Sequence, residues 1–428
     1  MDILKHLEIK NGVIRKNLIN DDINEAENMV RSEIDERAVA TASELIKHYN
    51  EQAEAATDLA TKNTLYEKAA DIAHTIAPKL TELGRAIQAA TIMGRLTPEG
   101  QLRFAARTII RHNETLKKGR KKIPGLTPEQ TKEILKRAKA IEEMPDGEEK
   151  AKAFWELQIY ISDLVPTPLW KKLINVWKAG LLTGIKTSGL NTFSNLAHGI
   201  SEIVKDVPAA GFDIMFSLVT KKRTIGLTAR GIPSGLKTGA ARGWRYLKTG
   251  FDERNVAAKL DYHRVSMGKS KFSRAVQIYT DGIFRIMGAE DQPFYYGALA
   301  RSLYSQAIAD AKNKGFKGQE AKNYIENQVK NPTDTMLNYA VNDALIAVYQ
   351  NKTLLGKIGK KFQEMPVIGE VIAPFVRTPS AVAMQIINYS PVGLIKTSIE
   401  NIGKGKFDQR LLSQGLARGL LGTGVLYL

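Results

Sequence analysis

Most of the chain carries the hydrophobic pattern of α-helices. Between Asp21 and Leu80, Ala, Glu, Lys and Leu dominate and residues that break helices are few. Threonine–proline pairs at 97–98, 127–128 and 378–379 each predict a helix start, since proline fits the first helical position. Gln130 adds a capping box to the second pair. The pattern predicts an all-α protein of many helices, elongated or loosely bundled.

The only predicted sheet lies near the start of the chain. Leu7, Ile9, Val13 and Ile14 are apolar and flank Asn11-Gly12, a two-residue hairpin sequence. We expect at most this small hairpin, and a sheet of four or more strands elsewhere would contradict the all-α prediction.

The chain is predicted to have four regions, with Pro166 and Pro168 at the central break. These are an N-terminal arm or hairpin at 1–20, a near-neutral helical domain at 21–165, a basic, glycine-rich amphipathic region at 166–270 and a helical region at 271–428. The apolar end of the last region, GLLGTGVLYL, suggests that the chain belongs to a longer polypeptide.

Charge is distributed unevenly between the two halves. The 428 residues include 62 Lys and Arg and 45 Asp and Glu, a net charge of +17. Residues 1–165 hold 26 basic and 27 acidic side chains, whereas residues 166–428 hold 36 basic and 18 acidic ones. Such asymmetry suggests a negatively charged partner, either nucleic acid or anionic lipid. A basic surface that only keeps the protein soluble is the alternative.

A basic amphipathic helix is predicted directly after Pro168. Residues 169–185 read LWKKLINVWKAGLLTGI, in which apolar residues recur near helical spacing with lysines between them. This pattern is typical of a helix at a membrane interface or in a partner's groove. A core-facing helix whose lysines face water is the alternative. The residues predicted to contact membrane or phosphate here are Trp170, Lys171, Lys172, Trp177 and Lys178.

Four glycines recur at every fourth position, at Gly231, Gly235, Gly239 and Gly243. In a helix they form a flat stripe that lets another helix approach closely, as in membranes, although tight packing in a soluble bundle is the alternative. Each interior glycine costs about 1 kcal/mol relative to alanine, so the stripe is expected only where close packing offsets that cost. A second set of predicted membrane or phosphate contacts surrounds it: Lys237, Arg242, Trp244, Arg245 and Lys248.

Catalytic and metal-binding patterns are not found. The chain has no cysteine, which excludes disulfides, cysteine nucleophiles and iron–sulfur clusters. Its six histidines include no pair at metal-ligand spacing. The acidic pair Glu290-Asp291 precedes Pro293 and is interpreted as a cap at a helix start rather than as a catalytic pair. We therefore expect no enzymatic activity, cofactor or metal ion.

Four stretches in order resemble one known family. They are 82–88 with 93–100, 181–195, Asp291 with the alanine-rich helix that follows it, and 374–379. Together they resemble the helical portion of the large internal, DNA-ejection proteins of tailed phages, which often form part of polyvalent polypeptides. The residues that carry the resemblance are Arg85, Arg95, Asn191, Asn195, Asp291 and Arg377.

The resemblance implies a structural role in a phage particle. It implies a non-enzymatic protein that is packed with the genome, leaves with it and contributes helices to a conduit across the host envelope. The partners implied are other virion proteins, further copies of this chain, phage DNA bound without sequence preference and the anionic host membrane. Its location would be the virion interior and, after ejection, the host envelope. A basic nucleic-acid-binding structural protein with no membrane role is the alternative.

Overall fold

The computed structural model describes residues 23–32, 36–82, 96–116, 122–145, 148–251, 265–268, 270–351, 353–363, 372–402 and 407–426. Across these ranges α-helix is the only regular secondary structure, which confirms the all-α prediction. Three predicted features lie outside the described residues: the hairpin at Asn11-Gly12, and the two arginines Arg85 and Arg95.

Helices account for most of the described residues. Their bounds are α1 Ile23–Ser32, α2 Glu36–Ala55, α3 Leu59–Glu82, α4 Pro98–Thr115, α5 Pro128–Glu143, α6 Glu148–Ser162, α7 Leu169–Leu182, α8 Ile185–Val204, α9 Asp206–Thr220, α10 Ile232–Thr249, α11 Lys271–Asn313, α12 Gly318–Lys330, α13 Asp334–Ala347, α14 Leu354–Gln363, α15 Arg377–Asn388, α16 Pro391–Asn401 and α17 Gln409–Leu426. Thr97 caps α4, and Thr127 with Gln130 forms the predicted capping box of α5.

Helices α1 to α6 share one apolar core. Neighbouring helices in this group pack on one another, and α6 also contacts α4. The buried core side chains include Leu45, Ile46, Tyr49, Ile72, Ile76, Ile134, Leu157 and Ile161. All buried members of this core lie between residues 26 and 161, within the predicted domain at 21–165.

The 43-residue helix α11 organises the C-terminal half. At 1.5 Å per residue it is about 65 Å long. Helix α10 packs along it, and α7, α8, α12 and α13 also contact it, while α9 and α16 pack on α17. The contact between α10 and α11 crosses the predicted boundary at residue 270.

Helices α8 and α9 follow a nearly continuous helical path. Lys205 at their junction has helical dihedral angles, and its N–H donates to the Ser201 carbonyl. The Ala209 N–H in turn donates to the Lys205 carbonyl. Pro208 has no N–H and leaves the Val204 carbonyl without its usual helical donor. Within the described ranges, no helix has both the length and the apolar content required to cross a membrane.

Candidate functional site: an apolar outer face over a buried ionic network

Helix α8 turns its polar side toward the protein and its apolar side outward. Asn195, His198 and Glu202 recur at helical spacing and are all buried. On the opposite side Phe193 is 68% exposed. Amphipathic helices of soluble proteins normally have the reverse arrangement, with the apolar stripe facing the core. The pattern of α8 is therefore inverted.

Helix α9 continues the same inversion. Asp206 and Asp213 are buried, whereas Val219 is 85% exposed. We define the outer face as the exposed apolar side chains of both helices: Leu190, Phe193, Leu196, Ile200, Ile203, Val204, Val207, Ile214, Met215, Leu218 and Val219. Every charged side chain between residues 187 and 220 is buried. The outer face therefore carries no charge.

The buried charges beneath the outer face form ion pairs with one another. The Arg418 guanidinium donates Nε to Glu202 Oε1 at 2.7 Å and Nη2 to Glu202 Oε2 at 2.8 Å. Lys205 Nζ lies 3.2 Å from Glu202 Oε2 and 3.1 Å from Asp206 Oδ1, and Arg301 donates to Asp206. These five residues are the ionic network. It ties the junction of α8 and α9 to α11 and α17.

The network keeps the Glu202 carboxylate ionised despite its burial. Burial alone would raise the pKa of Glu202, but the Arg418 and Lys205 charges outweigh it and hold that pKa well below its usual range. The Tyr389 hydroxyl also donates to Glu202 Oε1 at 2.9 Å. A buried charge is tolerated when it is paired and hydrogen-bonded in this way.

Two further buried carboxylates bind α9, α11, α13 and α17 together. Asp343 Oδ2 accepts hydrogen bonds from Ser302 at 2.6 Å and from Arg410 at 3.0 Å. Asp213 accepts from Arg223 Nε at 2.9 Å and from Gln409 Nε2 at 2.8 Å. The interior of the C-terminal half thus combines polar and ionic contacts with four small apolar clusters, whereas α1 to α6 share one larger apolar core.

Three of the residues that carry the family resemblance come together. Asn195 Nδ2 donates to Asp291 Oδ1 at 2.6 Å, and Asn191 Nδ2 donates to the same oxygen at 3.2 Å. Gln350, which the sequence did not single out, donates to Asp291 Oδ2 at 3.2 Å. Arg377 begins α15, which packs against α14 and α16. The cluster joins α8 to α11 on the buried side of α8.

The prediction that Glu290 and Asp291 cap a helix start is wrong. Both residues lie in the middle of α11, and Pro293 is inside that helix rather than at its beginning. Asp291 is completely buried and accepts amide hydrogen bonds from α8. These carboxylates therefore join two helices side by side.

Helix α7 places its predicted contact residues on different sides. Lys171 is exposed with Nζ 5.5 Å from the Trp170 ring centroid, and Trp177 is 40% exposed. Lys172 is half-buried and donates to the Met267 carbonyl at 2.9 Å. Lys178 is only 5% exposed, so its prediction as a membrane or phosphate contact is wrong.

The outward stripe of α7 is apolar. Its exposed residues at four-residue spacing are Leu169, Leu173, Trp177 and Leu181. Ile174 and Lys178 lie on the buried side instead. The alternative of a core-facing helix with lysines in water holds only in part, because Ile174 and Ala179 are buried and Lys171 is exposed, whereas the longer apolar stripe faces outward and Lys178 is buried.

The predicted contact residues of α10 divide between surface and packing. Lys237, Trp244 and Lys248 are exposed, and Lys248 Nζ lies 4.9 Å from the Trp244 ring centroid. Arg242 and Arg245 are half-buried, with the Arg242 guanidinium 5.1 Å from the centroid of the Tyr296 ring on α11. Arg242 therefore takes part in the contact between helices.

The glycine stripe is a helix–helix contact, as predicted. A Cβ on Gly235 would stand 2.7 Å from Gly297 Cα, and one on Gly239 would stand 2.5 Å from Pro293 Cα. A Cβ on Gly243 would meet the Ala289 carbonyl oxygen at 2.8 Å. Gly231, at the N-cap of α10, has a φ of +85°, which favours glycine. The stripe lets α10 lie directly on the α11 backbone.

No protein-family model, no curated protein and no solved structure matches the chain. The outer face, the ionic network and the distribution of charge are therefore what point to a function.

Proposed function

We propose that this protein is a non-enzymatic internal virion protein of a tailed phage, which is packed with the genome, leaves with it and contributes helices to a conduit across the host envelope. The observation that supports this proposal best is the inversion of α8 and α9, with an uncharged apolar outer face above a buried ionic network. The order of the motifs around Asn191, Asn195 and Asp291 agrees with it.

The outer face favours a partner other than water. Burying apolar surface contributes about 25 cal/mol per Å², and contiguous exposed apolar patches mark binding or membrane surfaces. The inward charges support the same interpretation, because ionisable groups of membrane-associated bundles face the interior and pair with one another. A conduit component needs both properties.

The proposed partners follow from charge and surface type. The excess of basic residues in 166–428 favours phage DNA, bound without sequence preference, and the anionic host membrane. The apolar faces favour contact with other virion proteins and with further copies of the chain. The proposed location is the virion interior and, after ejection, the host envelope.

A basic structural protein that binds nucleic acid and has no membrane role is the second candidate. Exposed Lys237, Trp244 and Lys248 on α10 support it, since cationic and aromatic side chains together suit a phosphate backbone and its bases. This candidate does not account for the outer face, which offers nothing to a phosphate.

Salt separates the two candidates. The full chain is mixed with anionic vesicles, with neutral vesicles and with duplex DNA at low and high salt, and binding is measured by flotation and by gel shift. We expect DNA binding to vanish at high salt, because it depends on counterion release. Binding to anionic vesicles should persist in part through buried apolar area, with release of an entrapped dye. If vesicle and DNA binding disappear together, the conduit proposal fails in favour of the nucleic-acid candidate.

A further inference from the structure

We infer that the outer face of α8 and α9 is seated in the acyl-chain layer of an anionic phospholipid bilayer, with both helices lying along the membrane plane and Lys221 and Lys222 at the lipid phosphates. This inference rests on the proposed function and names the element and the lipid class that it uses.

The one-sided character of the two helices sets their orientation. Their outer face is apolar along its whole length, whereas their inner side is fixed to α11 and α17 by the ionic network and by Asp213. Rotating either helix would break buried ion pairs, which is strongly unfavourable. Only the outer side can meet lipid, and a helix with one apolar side lies in the interface plane.

The charge at the end of α9 selects anionic lipid. Lys221 is the C-cap of α9 and has a left-handed φ of 58°, so the chain turns away directly after the apolar residues. Lys221 and Lys222 are exposed next to Leu218 and Val219. Lysine side chains bury their methylenes along apolar surface while the ammonium reaches the headgroups. A second copy of this chain would bring the same positive charges to the interface, which makes anionic lipid the better complement.

Single-cysteine labelling tests the placement directly, because the chain has no natural cysteine. F193C and M215C report on the outer face, and L59C is the matched exposed apolar position in the N-terminal half. Each full-length variant carries an environment-sensitive fluorophore and is mixed with vesicles of phosphatidylglycerol and phosphatidylcholine. We expect blue shifts at 193 and 215 and quenching by lipids with nitroxide on the acyl chain. The label at 59 should keep its emission in water.

A charge variant tests the selection of anionic lipid. K221Q/K222Q should weaken binding to the same vesicles about 30-fold, since each lysine near an anionic surface contributes about a factor of five. K132Q/K136Q removes two exposed lysines from α5 and should leave vesicle binding within twofold. Equal losses in both variants would overturn the role of Lys221 and Lys222.

The outcomes distinguish this inference from the proposed function. Vesicle binding with unshifted labels at 193 and 215 overturns the inference and leaves the proposed function standing. Absence of vesicle binding overturns both. A blue shift that grows with protein concentration without lipid shows that a second copy covers the outer face, which also overturns the inference. Far-ultraviolet circular dichroism of each variant confirms that it is folded.

Discussion

At the scale of single residues, the two halves of the chain bury different chemistry. Tyr49 and Ile72 occupy an apolar core in the N-terminal half, whereas Glu202 and Arg418 are buried against each other in the C-terminal half. A smaller side chain in the apolar core would leave a cavity, whereas loss of a carboxylate from the ionic network would leave a buried cation without its partner.

Removing one carboxylate of the network should destabilise the C-terminal half severely. We expect Glu202→Ala to lower its free energy of unfolding by about 3–5 kcal/mol, because Arg418 would remain buried without its ion-pair partner and Lys205 would keep only Asp206. Glu133→Ala is the matched control, since Glu133 pairs with Arg137 one turn away on a partly exposed surface. That loss should be much smaller, because an ion pair on the surface contributes little to stability.

Urea unfolding monitored by tryptophan fluorescence measures both losses, and three of the four tryptophans, Trp170, Trp177 and Trp244, lie in the C-terminal half. Similar effects of E202A and E133A would show that the network contributes little.

The half-buried His74 should make the N-terminal half sensitive to acid. Its ring stacks on Phe104 at 3.9 Å between centroids, and burial lowers its pKa from 6.5 to about 4. The unfolded chain binds this proton near pH 6.5 and the folded chain only near pH 4. The free energy of unfolding of this half is thus highest above pH 6.5 and decreases as the pH falls toward 4. We expect a loss of about 2 kcal/mol across that window, measured by urea unfolding.

Two histidine variants assign this effect. His74→Phe keeps an aromatic ring on Phe104 and should flatten the dependence on pH between 6.5 and 4. His48→Gln, which changes a different histidine of the same half, should leave the dependence as it is. If the free energy of unfolding of H74F falls between pH 6.5 and 4 as steeply as that of the unchanged protein, the acid sensitivity arises from another group.

At the scale of elements, the contact between α10 and α11 depends on the absence of side chains. Gly235 and Gly239 lie against the α11 backbone around Pro293 and Gly297. Pro293 has no N–H and leaves the Ala289 carbonyl without its usual helical donor. Backbone therefore meets backbone along this contact, and even a methyl group on α10 has no room.

Alanine at the stripe should separate the two helices. We expect Gly239→Ala to destabilise the C-terminal half by about 1–3 kcal/mol, because a Cβ there meets backbone atoms that cannot move aside. Gly282→Ala on α11 is the matched control, since a Cβ there meets nothing within 4 Å. It should be neutral or stabilise by up to about 1 kcal/mol through helix propensity. Thermal unfolding followed by circular dichroism compares the two variants, and a tolerated G239A would contradict the close contact.

The sequence predicted the helices and the glycine contact but not the partner of that contact. A four-residue glycine repeat is visible in the sequence, whereas the facing stretch of α11 has no comparable repeat. Pro293 looked like a helix start because proline is common there, and the tertiary contacts that hold it inside α11 are invisible in sequence. Lys178 was misplaced for a similar reason, since the amphipathic pattern of α7 shows two sides but not which one faces outward.

At the scale of the whole molecule, the two halves differ in what they bury. The N-terminal half has an apolar core, whereas the C-terminal half buries charged side chains and exposes apolar ones. The core of α1 to α6 draws its buried residues from 26–161 alone. The C-terminal helices bury Asp213, Asp291 and Asp343 and expose Phe193 and Val219. The N-terminal half therefore has the apolar core of a domain that folds on its own. The C-terminal half has the exposed apolar surface of a unit that binds a partner.

The N-terminal half should fold when separated. We expect residues 1–165 expressed alone to be soluble, helical by circular dichroism and cooperative in thermal unfolding, because its apolar core is complete without the rest of the chain. Residues 166–428 expressed alone should require detergent or lipid to remain dispersed. An insoluble or unstructured N-terminal fragment would show that the boundary near 165 is wrong.

The inversion of α8 also reverses which substitutions the helix tolerates. In an ordinary amphipathic helix the outward positions drift among polar residues while the inward positions stay apolar. Along α8, positions such as 193 and 200 should exchange freely among leucine, isoleucine, valine and phenylalanine. Positions 195 and 202 should instead keep one particular amide and one particular acid. Variant libraries of this segment would then show polar residues as the invariant ones and hydrophobic residues as the interchangeable ones.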